Sequence, residues 1–126
     1  MALIEATLRA YLAAHAGLAA LVGGRIYPIR LPQGTGLPAV CYRRVSGVRK
    51  HNVNGLTLVA RPRFQFDCWA YSYAEAKAVA EEVRQALNGY HGAGWDSVID
   101  NDLDTYEPES GLYRTIVDAL IWHTEV

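Results

Sequence analysis

Six carboxylates lie in one short segment in the second half of the chain, and a cluster of this kind is the first place to look for a calcium site. They are Asp96, Asp100, Asp102, Asp104, Glu107 and Glu109. The spacing of Asp100, Asp102 and Asp104 resembles the start of an EF-hand loop. That loop needs glycine at its sixth position and an acid at its twelfth, where this chain has Thr105 and Gly111. We therefore interpret the segment as a solvated acidic loop or as a surface that meets a partner.

The histidines and cysteines show no spacing that predicts a metal site. His15 lies where the first predicted helix ends, so a positive imidazole there would interact favourably with the helix dipole. The other histidines are His51, His91 and His123. None of the four stands three or four residues from another histidine or acid in a metal pattern. Cys41 and Cys68 form no CxxC motif, so we expect two reduced thiols packed in strands.

The two halves of the chain carry opposite charges, although the net charge is only −1. Residues 1–63 hold nine Lys and Arg and one acid, whereas residues 64–126 hold three basic and twelve acidic residues. Six basic residues cluster on predicted strands and their hairpin. They are Arg43, Arg44, Arg49, Lys50, Arg61 and Arg63. Such segregation bears on partners rather than on fold, and it favours a protein interface or a nucleic-acid-binding face.

Length and composition limit the class of protein to which this chain can belong. A chain of 126 residues is long enough for one domain and short for two. Hydrophobic residues make up 51% and charged residues 20%, which is typical of a soluble globular protein. The longest apolar stretches are about half of the roughly 20 residues that a membrane helix needs. Since the N-terminus has no basic leader or cleavage signal, we expect neither a membrane span nor secretion by that route.

Two helices are predicted by apolar residues at helical spacing and by capping residues. We place them over residues 3–14 and 72–88, with a helical turn at residues 17–22 that ends at Gly23-Gly24. In the first helix, Ile4 and Leu8 lie on one face. The second begins at the capping box of Ser72 and Glu75, in which each residue satisfies an orphan amide of the other.

Alternating apolar and polar residues predict the strands. We place strands over residues 39–47, 63–69 and 112–124, and an irregular strand at residues 95–106. The dipeptide Asn54-Gly55 predicts a tight turn of a hairpin with arms near residues 45–53 and 56–61. Residues 25–38, rich in proline, and residues 89–94 are predicted loops. The order of elements predicts a single α+β domain over residues 1–126, with two helices on one face of an antiparallel sheet of about four strands and a protruding β-hairpin.

Three blocks of sequence stand in the order found in one known family. They are Arg25-Ile26-Tyr27-Pro28 followed by Leu31-Pro32-Gln33-Gly34, Leu37-Pro38 and the strand to Ser46-Gly47; Arg63-Phe64-Gln65-Phe66-Asp67-Cys68-Trp69-Ala70 followed by Tyr73-Ala74-Glu75-Ala76; and Leu112-Tyr113-Arg114 through Trp122-His123. As a set, these blocks resemble the small tail-completion, or tail terminator-like, proteins of long-tailed phages, prophages and gene transfer agents. The family's order of elements agrees with the order predicted from the residues.

The resemblance implies a structural virion protein without catalytic activity or cofactor. It would cap the head-proximal end of the tail tube, end tube growth and join the tail to the head as a ring, hexameric when assembled. The implied partners are further copies of the chain, the tail tube protein and the head–tail connector protein, with no membrane. Channel arginines in contact with passing DNA are an open alternative. The implied location is the head–tail junction of the virion, and the host cytoplasm during assembly.

A ring needs a contact in which one face of a subunit meets a different face of the next, and the segregated charges would supply one. We hypothesise that the basic strands meet the acidic segment of a neighbour or of a tail-tube subunit. The basic residues are Arg49, Lys50, Arg61 and Arg63, and the acidic ones are Asp100, Asp102, Asp104 and Glu107. The alternative class of function is a small nucleic-acid-binding adaptor that uses a basic sheet face.

Overall fold

The computed structural model describes residues 3–52, 55–92 and 94–124. Within them, three helices and six strands follow one another as α1 Ile4–Ala14, α2 Ala16–Val22, β1 Ile26–Pro28, β2 Ala39–Asn52, β3 Gly55–Ala70, α3 Tyr73–Leu87, β4 Tyr90–Gly92, β5 Trp95–Glu107 and β6 Leu112–Thr124. The strands form one sheet in the order β1-β2-β3-β6-β5-β4. The predicted α+β class is confirmed.

One face of β3 forms the centre of the core because its side chains alternate between two sides of the sheet. Phe64, Phe66 and Cys68 are fully buried on the side that the sequence pattern predicts. The helices bring Leu8, Leu12, Leu18, Val79, Val83 and Leu87 to the same cluster. Complete burial of a large apolar side chain stabilises a fold by about 1.5–3 kcal/mol, so this face of the sheet holds the helices in place.

The predicted serine cap of α3 and the predicted glycines after α2 and α3 lie at the helix boundaries. The Ser72 hydroxyl accepts a hydrogen bond from the backbone N–H of Glu75 at 3.2 Å, which fixes the start of α3. Gly23 ends α2 with a φ of +60°, and Gly89 follows α3 with a φ of +75°. Both glycines adopt the backbone region that other residues rarely enter, so the chain turns sharply at the predicted points.

Two predicted loops were wrong in part, because each contains a short strand. Residues 25–38 include β1, which pairs in parallel with β2, and residues 89–94 include β4, which pairs with β5. A strand of three residues is too short for alternation to show in the sequence. The sheet therefore has six strands instead of about four, is mixed instead of purely antiparallel, and is covered by three helices instead of two.

The two longest strands form a continuous antiparallel ribbon. β2 and β3 pair from Ala39 opposite Trp69 to Asn52 opposite Gly55. The recorded pairing of β3 with β6 ends at Val59, so the last residues of the ribbon extend past that neighbour. The predicted turn residue Asn54 lies outside the described residues, and so do the side chains of residues 48–58.

Candidate assembly interface

The described helices pack on one face of the sheet, and no described helix covers the other, which we call the open face. On β3 the residues that alternate with the buried phenylalanines point to the open face, and the neighbouring strands continue this alternation. The charged and amide side chains there are Arg43, Arg63, Gln65, Asp67, Arg114 and Asp118. Charges of both signs thus stand opposite one another across neighbouring strands, where such pairs stabilise a sheet.

The first row of contacts crosses the middle of the open face. Arg43 donates from Nε to Oε1 of Gln65 at 2.9 Å, and Gln65 donates from Nε2 to Oδ1 of Asp118 at 3.3 Å. Arg63 approaches the other Asp118 oxygen at 4.0 Å and forms an ion pair with Asp100 of β5. One connected network of side chains therefore runs from β2 to β5.

The second row surrounds Arg114. Its guanidinium lies 3.6 Å from a carboxylate oxygen of Asp67, donates to Glu107 at 3.0 Å, and stacks 4.9 Å from the centroid of the Trp69 ring. Asp67 is only 7% exposed, and its Oδ1 has no hydrogen-bond partner within the described residues. Burial raises the pKa of Asp67 even though Arg114 and Arg43 act in the opposite direction.

Asp104 lies on the other side of β5 and connects it to the helix layer. Its carboxylate accepts hydrogen bonds from Tyr73 at 2.9 Å, from Thr115 at 3.0 Å and from Lys77 at 3.3 Å. Burial alone would raise the pKa of Asp104, but these three hydrogen bonds outweigh it and hold the pKa below its usual value. Asp104 therefore fastens the N-terminal end of α3 to the sheet. Asp102 is exposed, and its charge interacts with those of Lys77 and Arg84 on α3.

The eight residues of the sequence hypothesis do not all reach outward. Arg63 meets Asp100 in the same chain, and Asp104 and Glu107 likewise have partners in the same chain. Arg61 is half-buried on β3, and its Nε has no hydrogen-bond partner among the described residues. Arg49 and Lys50 have their backbones in β2, but their side chains lie outside the described residues.

Sequence reasoning missed the partners that hold these acids within the chain. They are Arg114 on β6, which binds Glu107, and Tyr73 and Lys77 on α3, which bind Asp104. The sequence of β6 carried a usable signal for Arg114, since it is the one Lys or Arg side chain in a strand rich in apolar residues. No comparable signal pointed to the α3 residues, because Tyr73 and Lys77 look like ordinary solvent-exposed positions of a helix.

The predicted basic cluster is divided between the two faces of the sheet. Arg43 lies on the open face, whereas Arg44 lies on the helix side, 3.1 Å from Glu5 of α1 and 5.5 Å from the ring centroid of Phe64. On the open face, Asp67 and Asp118 stand between the arginines. The face is therefore mixed in charge, and a mixed face attracts nucleic-acid phosphates less than a basic one.

The described residues offer little for catalysis or metal binding. Cys41 in β2 and Cys68 in β3 are buried and free, which confirms their predicted positions. Burial raises the pKa of Cys41 to about 11, so the reactive thiolate is scarce at neutral pH. In the described part of the chain, no three His, Cys, Asp or Glu side chains come together where they would hold a metal ion. None of the described helices is long and apolar enough to cross a membrane.

Comparison with known proteins shows the family of the chain. The family model of tail completion protein gp17 matches residues 6–124. The chain belongs to the tail completion family. As a member it is a structural protein of a phage-type tail, located in the virion, and the family resemblance seen in the sequence blocks is confirmed.

A solved structure supports the fold of this family member. In a structure titled virion of native gene transfer agent particle, one chain superposes with a TM-score of 0.75. The match covers 96% of this chain and 94% of that chain, at 22% sequence identity. Identity this low shows a shared fold. A comparison with curated proteins finds no match.

Proposed function

We propose that the protein caps the head-proximal end of the tail tube, ends tube growth and joins the tail to the head, acting as a ring of copies. Membership of the tail completion family supports this placement. The likeness in fold to a chain from a gene transfer agent virion is compatible with it. In this proposal the partners are the tail tube protein on one side of the ring and the head–tail connector protein on the other, and the role requires no catalytic step.

The observation that carries the ring proposal is the placement of opposite charges on opposite sides of the sheet. The basic strand β2 and the acidic strand β5 lie on either side of the β3–β6 pair. β2 carries Arg43, Arg44, Arg49 and Lys50, and β5 carries Asp96, Asp100, Asp102, Asp104 and Glu107. A subunit with one basic and one acidic side attracts the next subunit head to tail, and a head-to-tail contact is the kind that closes into rings.

The partners that the predicted residues have within the chain bear on which of them would lead the proposed contact. Asp100, Asp104 and Glu107 form ion pairs in their own chain, whereas Asp102 is exposed and interacts with Lys77 and Arg84 only through their charges, so we propose Asp102 as the acid that meets a neighbour. We propose that Arg49, Lys50 and Arg61 of the neighbouring copy, or of a tail-tube subunit, face it. Arg63 is a poor probe of this interface, since its replacement also removes an ion pair within the monomer. Arginines that touch DNA in the channel remain the alternative for this basic side.

Electron microscopy of particles from a strain that lacks the gene tests the role itself. We expect full heads separated from tails, or tails of irregular length, and normal particles once the gene is restored. Intact joined particles from the deletion strain would contradict an essential role in tail completion. Strong retention of the purified protein on DNA at physiological salt would then favour the nucleic-acid-binding adaptor.

Charge reversal tests the residues of the contact. We expect Asp102→Lys to reduce the number of joined particles while leaving the circular dichroism of the monomer unchanged. Glu109→Lys is the matched control, because it makes the same change at an exposed acid outside the proposed contact. Adding Arg49→Glu to Asp102→Lys restores opposite charges in every copy of a ring, so joining should recover. Normal joining by Asp102→Lys alone would remove this residue from the interface.

A further inference from the structure

The outer edge of β5 is open along most of its length. β4 pairs with β5 only from Trp95 to Ser97. Farther along, the backbone N–H of Ile99 donates to the Asn88 side chain at 3.4 Å. From residue 102 to residue 106, no hydrogen bond between described residues satisfies the outward main-chain groups. Exposed strand edges of this kind pair readily with another chain.

The register shows which main-chain groups face outward. Ser97 and Ile99 direct a C=O and an N–H beyond the edge, and both lie opposite odd-numbered residues of β6. Bonded and non-bonded pairs alternate along an antiparallel ladder, so the β5 residues opposite odd-numbered positions share that orientation. After the register shift of β5, these residues are Asp102, Asp104 and Tyr106. Their N–H and C=O groups point away from the sheet.

The side chains along this edge specify which strand would fit it. Asp104 and Tyr106 lie on the helix side of the sheet, and Asp102 shares that side by alternation. Leu103 lies between them on the open face and is 44% exposed. Residues 96–109 include six acids and no Lys or Arg. Cross-strand pairing therefore favours an incoming strand with basic residues on the helix side and apolar residues on the open face.

The described strands of a second copy match this edge poorly. β2 is basic, but its ladder has register shifts between Arg44 and Ser46 and between Arg49 and His51, so its main-chain groups do not keep one spacing. β1 and β4 hold three residues each, and β3 and β6 lie inside the sheet. Pairing of β5 with β5 would place acid beside acid. These features favour a strand from a different protein.

We propose that the free edge of β5 accepts, as an added strand, an extended segment of another protein of the virion in which basic and apolar residues alternate. Main-chain hydrogen bonds to residues 102–106 hold the segment, and the neighbouring side chains select its pattern. The basic residues lie beside Asp102 and Asp104, and an apolar residue lies beside Leu103. A carboxylate accepts several hydrogen bonds, so Asp102 can also meet a neighbouring copy. The added strand is therefore a partner beyond those of the proposed ring.

Short synthetic peptides test the pairing on the purified protein. We expect a peptide of alternating Lys and Val to bind. One version is N-methylated at every Lys and a matched version at every Val, so the two have the same charge and composition. A strand bonds to one neighbour through every second residue, so one version should bind about tenfold or more weakly than the other. Equal affinities of the two, or no binding of the unmodified peptide at about 1 mM, would overturn strand pairing.

Two substitutions at one position of β5 test the same bonds from the other side. Asp102→Asn removes the charge and keeps the outward N–H, whereas Asp102→Pro removes both. Proline is tolerated on an edge strand where the missing N–H faces outward, so both variants should keep the circular dichroism of the wild type. We expect the alternating peptide to bind Asp102→Pro about tenfold more weakly than Asp102→Asn. Equal affinities would show that only charge attracts the peptide, which would also overturn the pairing.

Photo-crosslinking in purified virions tests the identity of the partner. With Leu103→benzoylphenylalanine, we expect a crosslink to an alternating basic and apolar segment of another virion protein. The same replacement at Tyr71, which is exposed and lies outside this edge, is the control and should not join that segment. Crosslinks from position 103 only to further copies of this chain, or none, would overturn the choice of partner. None of these outcomes bears on the tail-completion role, which the deletion strain tests.

Discussion

Along β3, neighbouring side chains have opposite environments. Phe64 and Phe66 are fully buried beneath the helices, whereas Arg63 and Gln65 remain partly exposed in a network of charges and amides. Each strand contributes to both faces because its side chains alternate. Apolar packing and the network of charged contacts therefore lie on separate faces of the same strand, so each can be altered with limited effect on the other.

The largest expected difference between the faces comes from truncating neighbouring residues of one strand. Phe66→Ala removes a fully buried ring and should lower the free energy of unfolding by about 3–5 kcal/mol. Gln65→Ala, one residue away on the open face, loses hydrogen bonds that are partly exposed and should cost less than about 1 kcal/mol. Urea denaturation of both variants measures the difference. Similar losses for the two would show that the open face also carries the fold.

Features of the fold that have local sequence signals were predicted well. The alternation of Phe64, Phe66 and Cys68 and the capping residues of α3 are local signals, and the elements that they predict are present. The short strands β1 and β4 carry no local signal, since their existence depends on the longer strands that they border. A strand therefore had to be long enough for its alternation of apolar and polar residues to predict it.

The partners of the charged residues could not be predicted, because they depend on bulges. A register shift between Ile99 and Asn101 breaks the alternation of β5, so Asp100 reaches Arg63 on the open face while Asp102 falls on the opposite side. In an unbroken strand these two acids would share a face. Spacing in the sequence therefore identified an acidic strand. It could not show that Asp100 forms an ion pair within the chain whereas Asp102 faces the other side of the sheet.

A smaller effect is expected on the helix side, where Asp104 fastens α3. Asp104→Asn should lower the free energy of unfolding by about 1 kcal/mol at neutral pH, a value discounted because the carboxylate is 39% exposed. The pKa of Asp104 is lowered in the folded state, so its contribution is present above the unfolded pKa and disappears as the pH falls through the folded value. Denaturation at several pH values should show the wild type losing its advantage in acid.

Asp102→Asn is the matched control for that prediction, since Asp102 stands two residues away, is exposed, and interacts with Lys77 and Arg84 only through their charges. It should leave the stability of the monomer unchanged within about 0.5 kcal/mol. A pH-independent loss in Asp104→Asn would show that the side chain acts through packing and not through its charge.

The smallest effect should come from Asp67, the buried carboxylate of the open face, and it should have the opposite sign. Burial raises the pKa of Asp67 in the folded state, so ionisation opposes folding, and the wild type loses stability as the pH rises between the unfolded and folded values. Asp67→Asn does not titrate. Its stability relative to the wild type should therefore improve from about pH 3 to about pH 7, by less than about 1 kcal/mol because Arg114 partly compensates the charge. If urea denaturation instead shows the variant weakening as the pH rises, the ion pair with Arg114 outweighs burial.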